Sequence, residues 1–306
     1  MKHKNAIRLS SGDLSFVVTN YAVLALILVC TLYPLLFVIS ASFSDPQSVS
    51  TGQLILWPIE PSLDGYKYIL QYSEIWTGYA NTIFYTFFGT ALNLVFTLPC
   101  AYALSRKDMP DRGVIMTLFI ITMYFSGGMI PAYLNIRSLG LLNSRWAILL
   151  VGLVSTYNLI VARSFFANTV PWELHEASFL DGASDFRTFM QIVLPLSMPI
   201  IVVMTLYYGV AHWNGYFNAM IYLRKRSMFP LQLFLREILT LSQFQSEMVA
   251  EGGYTAEEMA AMVKQADIAN MIKYCVIVVA TAPMMALYPF LQKFFVKGVM
   301  IGAVKG

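Results

Sequence analysis

Six stretches of this 306-residue chain contain no Asp, Glu, Lys or Arg: residues 14–44, 75–105, 113–136, 146–162, 188–223 and 274–292. A helix rises ~1.5 Å per residue, so crossing the hydrocarbon of a bilayer takes roughly 20 mostly apolar residues, range ~17 to 25. The fourth stretch only just meets that need. The first and fifth exceed it, leaving interfacial shoulders: Ser42 and Ser44 after the first, and a short helix ahead of the fifth. With 58% apolar and 12% charged residues, the chain is too apolar for a soluble domain of this length. The expected fold is an all-α membrane protein with six transmembrane helices and both termini on one side.

More than half of the 20 Lys and Arg residues fall in the shorter set of connections. The positive-inside rule then puts the termini in the cytoplasm, although Arg224, Lys225 and Arg226 run against it. The first apolar run is too long for a signal peptide and lacks a small-residue cleavage site, which favours a retained helix. Cys30, Cys100 and Cys275 lie far apart inside apolar spans, as buried hydrophobes and not a disulfide or metal set. A net charge of +3, with no basic run interleaved with aromatics, gives no sign of nucleic acid. Thr255 and Glu258 form a capping box for a short helix in the last outer connection.

The motifs of chemistry are missing. No G-x-x-x-x-G-K-[ST] loop is present to hold nucleotide phosphates. His175-Glu176 begins like a zinc helix, but Phe179 stands where the second His belongs, and His3, His175 and His212 are not spaced as a metal site. Ion-coupled carriers keep carboxylates or lysines within their spans; here His212 is the one intramembrane ionisable group apart from Cys and Tyr. Energy for transport must then come from a partner.

One polar break has structure written into it. Pro171 suits a first helical turn, Glu173 and Glu176 place negative charge near the helix N-terminus, and Gly182 is a natural stop. Ser184 can cap the next helix, with Asp185 in its first turn. On that helix Phe186, Phe189, Met190 and Val193 share one face by spacing, while Arg187 and Gln191 face away. Pro195 and Pro199 mark entry to the fifth span. The result is a compact knuckle suited to docking a soluble partner; on these features alone, an ordinary interfacial helix pair is the competing reading.

The run Glu176-Ala177-Ser178-Phe179-Leu180-Asp181-Gly182-Ala183, with Ile192-Val193-Leu194-Pro195 following, resembles the cytoplasmic loop of permease subunits from binding-protein-dependent ABC importers. Ser178 replaces the commoner second Ala. Asn81-Thr82, Tyr102-Ala103-Leu104-Ser105-Arg106, Gly127-Gly128-Met129-Ile130-Pro131, Leu139-Gly140-Leu141-Leu142-Asn143, Trp213-Asn214 and the segment from Tyr288 to Gly298 extend the resemblance to the carbohydrate-uptake group. Within it the chain is similar to the shorter maltose-transporter permease and its complex-oligosaccharide relatives. The resemblance implies a type I importer transmembrane domain with a cytoplasmic tail over 1–13, a six-helix permease domain over 14–296 (core 75–296, coupling loop 168–197) and a second tail over 297–306 that reaches between ATPases.

It further implies a bacterial cytoplasmic (inner) membrane location and a second homologous permease as partner. Two ATPase subunits, an extracytoplasmic solute-binding protein and a carbohydrate complete the expected set. ATP and Mg would sit on the ATPases, with no cofactor on this chain. Glu176, Ala177, Ser178, Asp181, Gly182, Leu194 and Pro195 would couple to the ATPases.

Substrate contacts are sought in the fifth span. Tyr207, Ala211, Asn214 and Asn218 fall on one helical stripe and Tyr208, His212 and Tyr216 on the next, so Tyr207, Tyr208, His212, Trp213 and Asn214 are candidates for the substrate path. Aromatic rings cover sugar C–H faces and amides bond hydroxyls. Against this, Trp213, Tyr216 and Tyr222 also suit an outer aromatic belt, and Asn suits helix–helix bonding. The competing functional class is a stand-alone secondary carrier or channel for a small polar solute. It would need an intramembrane charge or an inverted repeat, and neither is visible.

Overall fold

The computed structural model describes residues 10–251 and 256–303, and every regular element among them is helical. In chain order these are α1 (Ser11–Ser42), α2 (Pro46–Ser50), α3 (Asp64–Gln71), α4 (Ser73–Ser105), α5 (Arg112–Tyr124), α6 (Met129–Ser138), α7 (Arg145–Leu150) and α8 (Thr156–Thr169). There follow α9 (Trp172–Leu180), α10 (Asp185–Thr188), a π-helical turn (Phe189–Val193), α11 (Leu194–Leu196), α12 (Met198–Trp213), α13 (Phe217–Tyr222), α14 (Leu231–Glu251) and α15 (Ala256–Ala303). The starts are chemically marked. Asp45, Ser144, Ser155 and Ser184 each accept an amide proton from the first turn of α2, α7, α8 and α10, satisfying donors that a helix leaves orphaned. The capping box at Thr255, most of the N-terminal tail and the side chains of the C-terminal tail lie outside the described residues.

Two compact units form, 10–71 with 238–279 and 72–237 with 280–303. In the first, the end of α1 is buried at Ser40 to Ser42. There the Ser42 hydroxyl meets the Tyr66 hydroxyl at 2.7 Å, and the Cys275 thiol donates to the Ser42 carbonyl at 3.2 Å. The rest of α1 shows its large apolar side chains on all sides, as a helix surrounded by lipid or by a partner does.

The second unit packs around α4. Leu98, Ala101 and Leu104 of α4, Leu159, Ala162 and Phe166 of α8, and Met204 of α12 form the centre of its core with Val193 of the π-turn. At the opposite end of α4, the Asn81 amide donates to the carbonyls of Ser227 and Phe229, Tyr85 donates to Met228, and Thr82 accepts the Leu231 amide proton. Arg226 is clamped there between Glu74 and Glu237.

The apolar stretches do not all become straight rods. Among the described residues, α1, α4 and the 261–287 portion of α15 are long and apolar enough to cross a membrane alone. The third stretch bends by 114° between α5 and α6, and the fifth by 84° between α11 and α12. Gly127-Gly128 and the Pro195, Pro199 pair account for those breaks, one by freeing the backbone and the other by removing amide donors. The fourth stretch divides into α7 and α8, separated at Gly152 (φ +75°) and the Ser155 cap.

Candidate functional site

The knuckle is built as two short helices hinged at one glycine. At the end of α9 the Ala183 amide donates to the Ser178 carbonyl at 2.9 Å and the Gly182 amide to the Phe179 carbonyl at 3.0 Å. This is a Schellman closure, and it needs the left-handed backbone that Gly182 adopts (φ +70°). Ser184 then caps α10. The two helices are fastened by hydroxyls: Thr188 Oγ1 donates to Ser178 Oγ at 3.0 Å, and Ser178 donates back to the His175 carbonyl at 2.9 Å, all three residues buried. The Ser that departs from the usual alanine is thus a working bond between the halves of the knuckle.

The knuckle is held to α4 by rings and charge. His175 is stacked between Trp172 and Tyr102, with centroids 5.1 and 5.7 Å away, and Tyr102 also stacks on Phe189 at 5.0 Å. Arg106, one turn beyond Tyr102, donates to Asp185 at 2.7 Å and also pairs with Asp108. The bonds to Asp108 push the Arg106 guanidinium up and draw the Asp108 carboxyl below the usual carboxylate range. Burial pushes the His175 imidazole down. The nearby Pro171 carbonyl opposes this shift, and among the described residues neither ring nitrogen has a hydrogen-bond partner.

The knuckle residues singled out in the sequence divide into a buried and an exposed set. Glu176, Ala177, Asp181, Gly182 and Pro195 are exposed, Leu194 is half-buried and Ser178 is buried. Of the four residues expected on the apolar face of the second helix, two are buried within the chain and two are left uncovered by it. Phe189 and Val193 are buried, but Phe186 is 74% and Met190 44% exposed. Phe186 instead joins Phe179 and Leu180, 81% and 86% exposed, in bare apolar groups flanking the hinge.

Farther along α4 lies a cavity of about 370 Å³ lined by α4, α7, α8, α12, α13 and the turns beside them. Tyr208, His212 and Asn214 line it, together with Tyr85, Asn93, Asn158 and Tyr216. Its walls are pinned. Asn93 donates to the Leu153 carbonyl at 2.7 Å and meets His212 Nε2 at 2.6 Å through its own oxygen. The Tyr208 hydroxyl bonds Thr97 at 2.7 Å and takes the Ser155 amide proton at 3.2 Å. Gly89 must be glycine for this packing, since a Cβ there would stand 2.5 Å from the His212 ring.

Two of the five candidates lie off this wall. Trp213 is buried and donates to the Ala280 carbonyl at 3.1 Å, while Tyr207 stands beside Tyr157 at 6.5 Å. The stripe from Tyr207 to Asn218 assumes one continuous helix, yet α12 ends at Trp213 and Asn214 turns its amide back onto the Val210 carbonyl. Asn93, Thr97, Asn158 and Ser155 escaped the sequence reading; buried polar residues inside an apolar span were the signal available for the first three.

Residues 75–301 match the family of binding-protein-dependent transport system inner membrane components. The chain is 40% identical to the polygalacturonan/rhamnogalacturonan transport system permease protein YtcP of Bacillus subtilis (strain 168), over 91% of this chain and 94% of that protein. It is 39% identical to protein LplC of the same organism, over 90% of each. Among solved structures it is similar to a bacterial ABC transporter involved in import of the acidic polysaccharide alginate. The TM-score is 0.81 and the identity 33%, with 95% of this chain and 100% of that chain covered.

Proposed function

The chain belongs to the family of binding-protein-dependent transport system inner membrane components, and from that premise we propose that it carries an oligosaccharide inward through the cavity beside α4, driven by ATP hydrolysed on partner subunits. The fold is that of an importer permease. The reading further assigns it a second homologous permease, two ATPases that hold ATP and Mg, an extracytoplasmic binding protein and a cytoplasmic-membrane location with both termini inside. The names of its relatives, which give polygalacturonan/rhamnogalacturonan, arabinooligosaccharides and galactooligosaccharides as what those proteins transport, support the substrate class.

One observation carries the proposal: the same helix serves both places. α4 contributes Tyr85 and Asn93 to the cavity and grips the knuckle through Tyr102 and Arg106. From Asn93 to Tyr102 is roughly 14 Å of helix, a stiff path with Thr97 and its Tyr208 bond between. A partner that grips the exposed face around Glu176, Ala177 and Asp181 and the bare Phe179, Leu180 and Phe186 can move the knuckle. The ring stack and the Arg106–Asp185 pair pass that movement to α4, and the Asn93–His212 and Thr97–Tyr208 bonds pass it to α12. Access to the cavity then alternates.

Purification from the native membrane tests this reading. The chain should bring with it an ATPase and a second permease. Vesicles holding that complex should accumulate oligosaccharide only when binding protein and ATP are both supplied. Uptake by the isolated chain without ATP would instead establish a stand-alone carrier.

A further inference from the structure

The fourth apolar stretch carries a buried amide that nothing else in the chain engages. Asn158 stands in the first turn of α8, lines the cavity and is 7% exposed. Its backbone N–H donates to the Ser155 hydroxyl at 3.5 Å, but among the described residues its carboxamide has no hydrogen-bond partner. The reason is local. At the third helical position a polar side chain can reach back to the backbone donor of the N-cap. Here that donor, the Ser155 N–H, is taken at 3.2 Å by the Tyr208 hydroxyl of α12, and the Asn158 carboxamide is released from capping.

The other amides and phenols of the lining are mostly occupied. Asn93 uses both ends of its carboxamide, on the Leu153 carbonyl at 2.7 Å and on His212 Nε2 at 2.6 Å. Tyr85 donates to the Met228 carbonyl at 2.8 Å, Tyr208 is bonded to Thr97 at 2.7 Å, and Asn214 donates to the Val210 carbonyl at 3.0 Å. The other lining carboxamide without a bond, Asn218, is only half-buried. A buried amide left without a partner destabilises a fold, so one that faces a cavity is accounted for when a ligand completes it.

We infer that Asn158 sets the cavity's specificity by bonding a pair of neighbouring saccharide hydroxyls, while Asn93, Tyr85 and Tyr208 hold the wall that presents it. The inference rests on the carbohydrate-import reading above and names a contact within that same cavity. A carboxamide donates through its nitrogen and accepts through its oxygen, and two adjacent hydroxyls can accept the one and donate to the other. Phe217 and Tyr216 also line the cavity and supply ring surface for the C–H faces of the same sugar.

The test uses the whole transporter in vesicles, with ATP inside and its binding protein outside. Trisaccharides of galacturonate, of arabinose and of galactose are the probes, and the one that the wild type takes up fastest is then compared with its monodeoxy analogues. Asn158→Leu should lower uptake of the parent trimer roughly 10-fold, the scale of one buried hydrogen-bonded amide. The wild type should take up two analogues, those lacking either hydroxyl of the bonded pair, more slowly than the parent, and Asn158→Leu should no longer tell these from the parent. Comparing the two permeases cancels whatever the binding protein contributes to the preference. Because the Asn158 amide has no partner within the chain, the Asn158→Leu complex should be recovered in normal amount and melt no lower than the wild type. Asn93→Leu, which breaks the bonds to Leu153 and His212, should melt lower. Wild-type uptake by Asn158→Leu, or the same preference among the analogues in both proteins, would overturn the inference while leaving carbohydrate import standing. A lowered melting temperature with equal loss for every analogue would also overturn it and make Asn158 a contact to the second permease. Uptake of none of the trimers by the wild type would overturn both readings.

Discussion

Gly182 and His175 show how single side chains set the knuckle. The left-handed turn at Gly182 costs an L-residue of order 1–2 kcal/mol, and a β-branched one tolerates it worst, so the hinge is chemically fixed at this position. His175 is fixed differently, as a neutral ring between two aromatic faces. Burial holds its pKa below the ordinary 6.5, so the unfolded chain takes up the proton first as pH falls. The stability it contributes is therefore complete above that value and is lost as pH falls through the lower folded-state pKa. Hydrogen exchange of the α9 amides, corrected for intrinsic rates, should show protection falling below about pH 6.5 in the wild type. In His175→Phe, which keeps the stack and cannot titrate, protection should stay level. An identical decline in both proteins would remove His175 from the account.

At the scale of elements, the sequence reveals caps and stops more readily than bends. Ser184, Asp185 and Gly182 announced the two helices of the knuckle, and each does the work its chemistry suggests. The π-turn at Phe189–Val193 was not legible, because a stripe at 3.6 spacing gives no sign of one extra residue, and the stripe alone did not show that Phe189 and Val193 are buried within the chain while Phe186 and Met190 are left uncovered by it. The split of residues 146–162 into α7 and α8 was hidden for a related reason: absence of charge reports apolarity and says nothing of Gly152 breaking the helix. Tyr102 and Arg106 were noticed as pattern, but their meeting with His175 and Asp185 depends on residues some 70 to 80 positions away. Removing that meeting by Tyr102→Ala deletes a buried ring from the joint between α4 and the knuckle, at a cost of about 3–5 kcal/mol to the local packing. ATP hydrolysis should then proceed with uptake per ATP reduced by several-fold, and an unchanged ratio would mean that α4 does not transmit the stroke. Side assignment is tested at the loops. A cysteine at Ser184 should react with an impermeant thiol reagent only from the cytoplasmic face and one at Ser138, exposed at the end of α6, only from outside; the reverse pattern would invert the topology.

For the whole molecule, the chain reads as one working part of a larger machine. It presents an exposed knuckle, a polar cavity and a stiff helix shared by both, while the motifs that would hold a nucleotide are missing from its sequence. Membership of the permease family was legible because the motif keeps a hinge that only glycine supplies and a helix start that only a few residues cap. The cavity was legible only in part, since Asn93, Asn158 and Thr97 lie on spans whose apolar neighbours conceal them, and the bond between His212 and Asn93 joins residues 119 positions apart. The central claim is that the knuckle converts ATP hydrolysis on a partner into movement of this chain. Its most direct test is the complex reconstituted in vesicles, comparing wild type with Gly182→Val and Glu176→Lys for saccharide uptake and for ATP hydrolysis stimulated by loaded binding protein. The account predicts that both variants insert in normal amounts and lose uptake, with stimulated hydrolysis lost or no longer tied to transport. Wild-type values of both quantities in both variants would contradict it and leave the knuckle an interfacial helix pair.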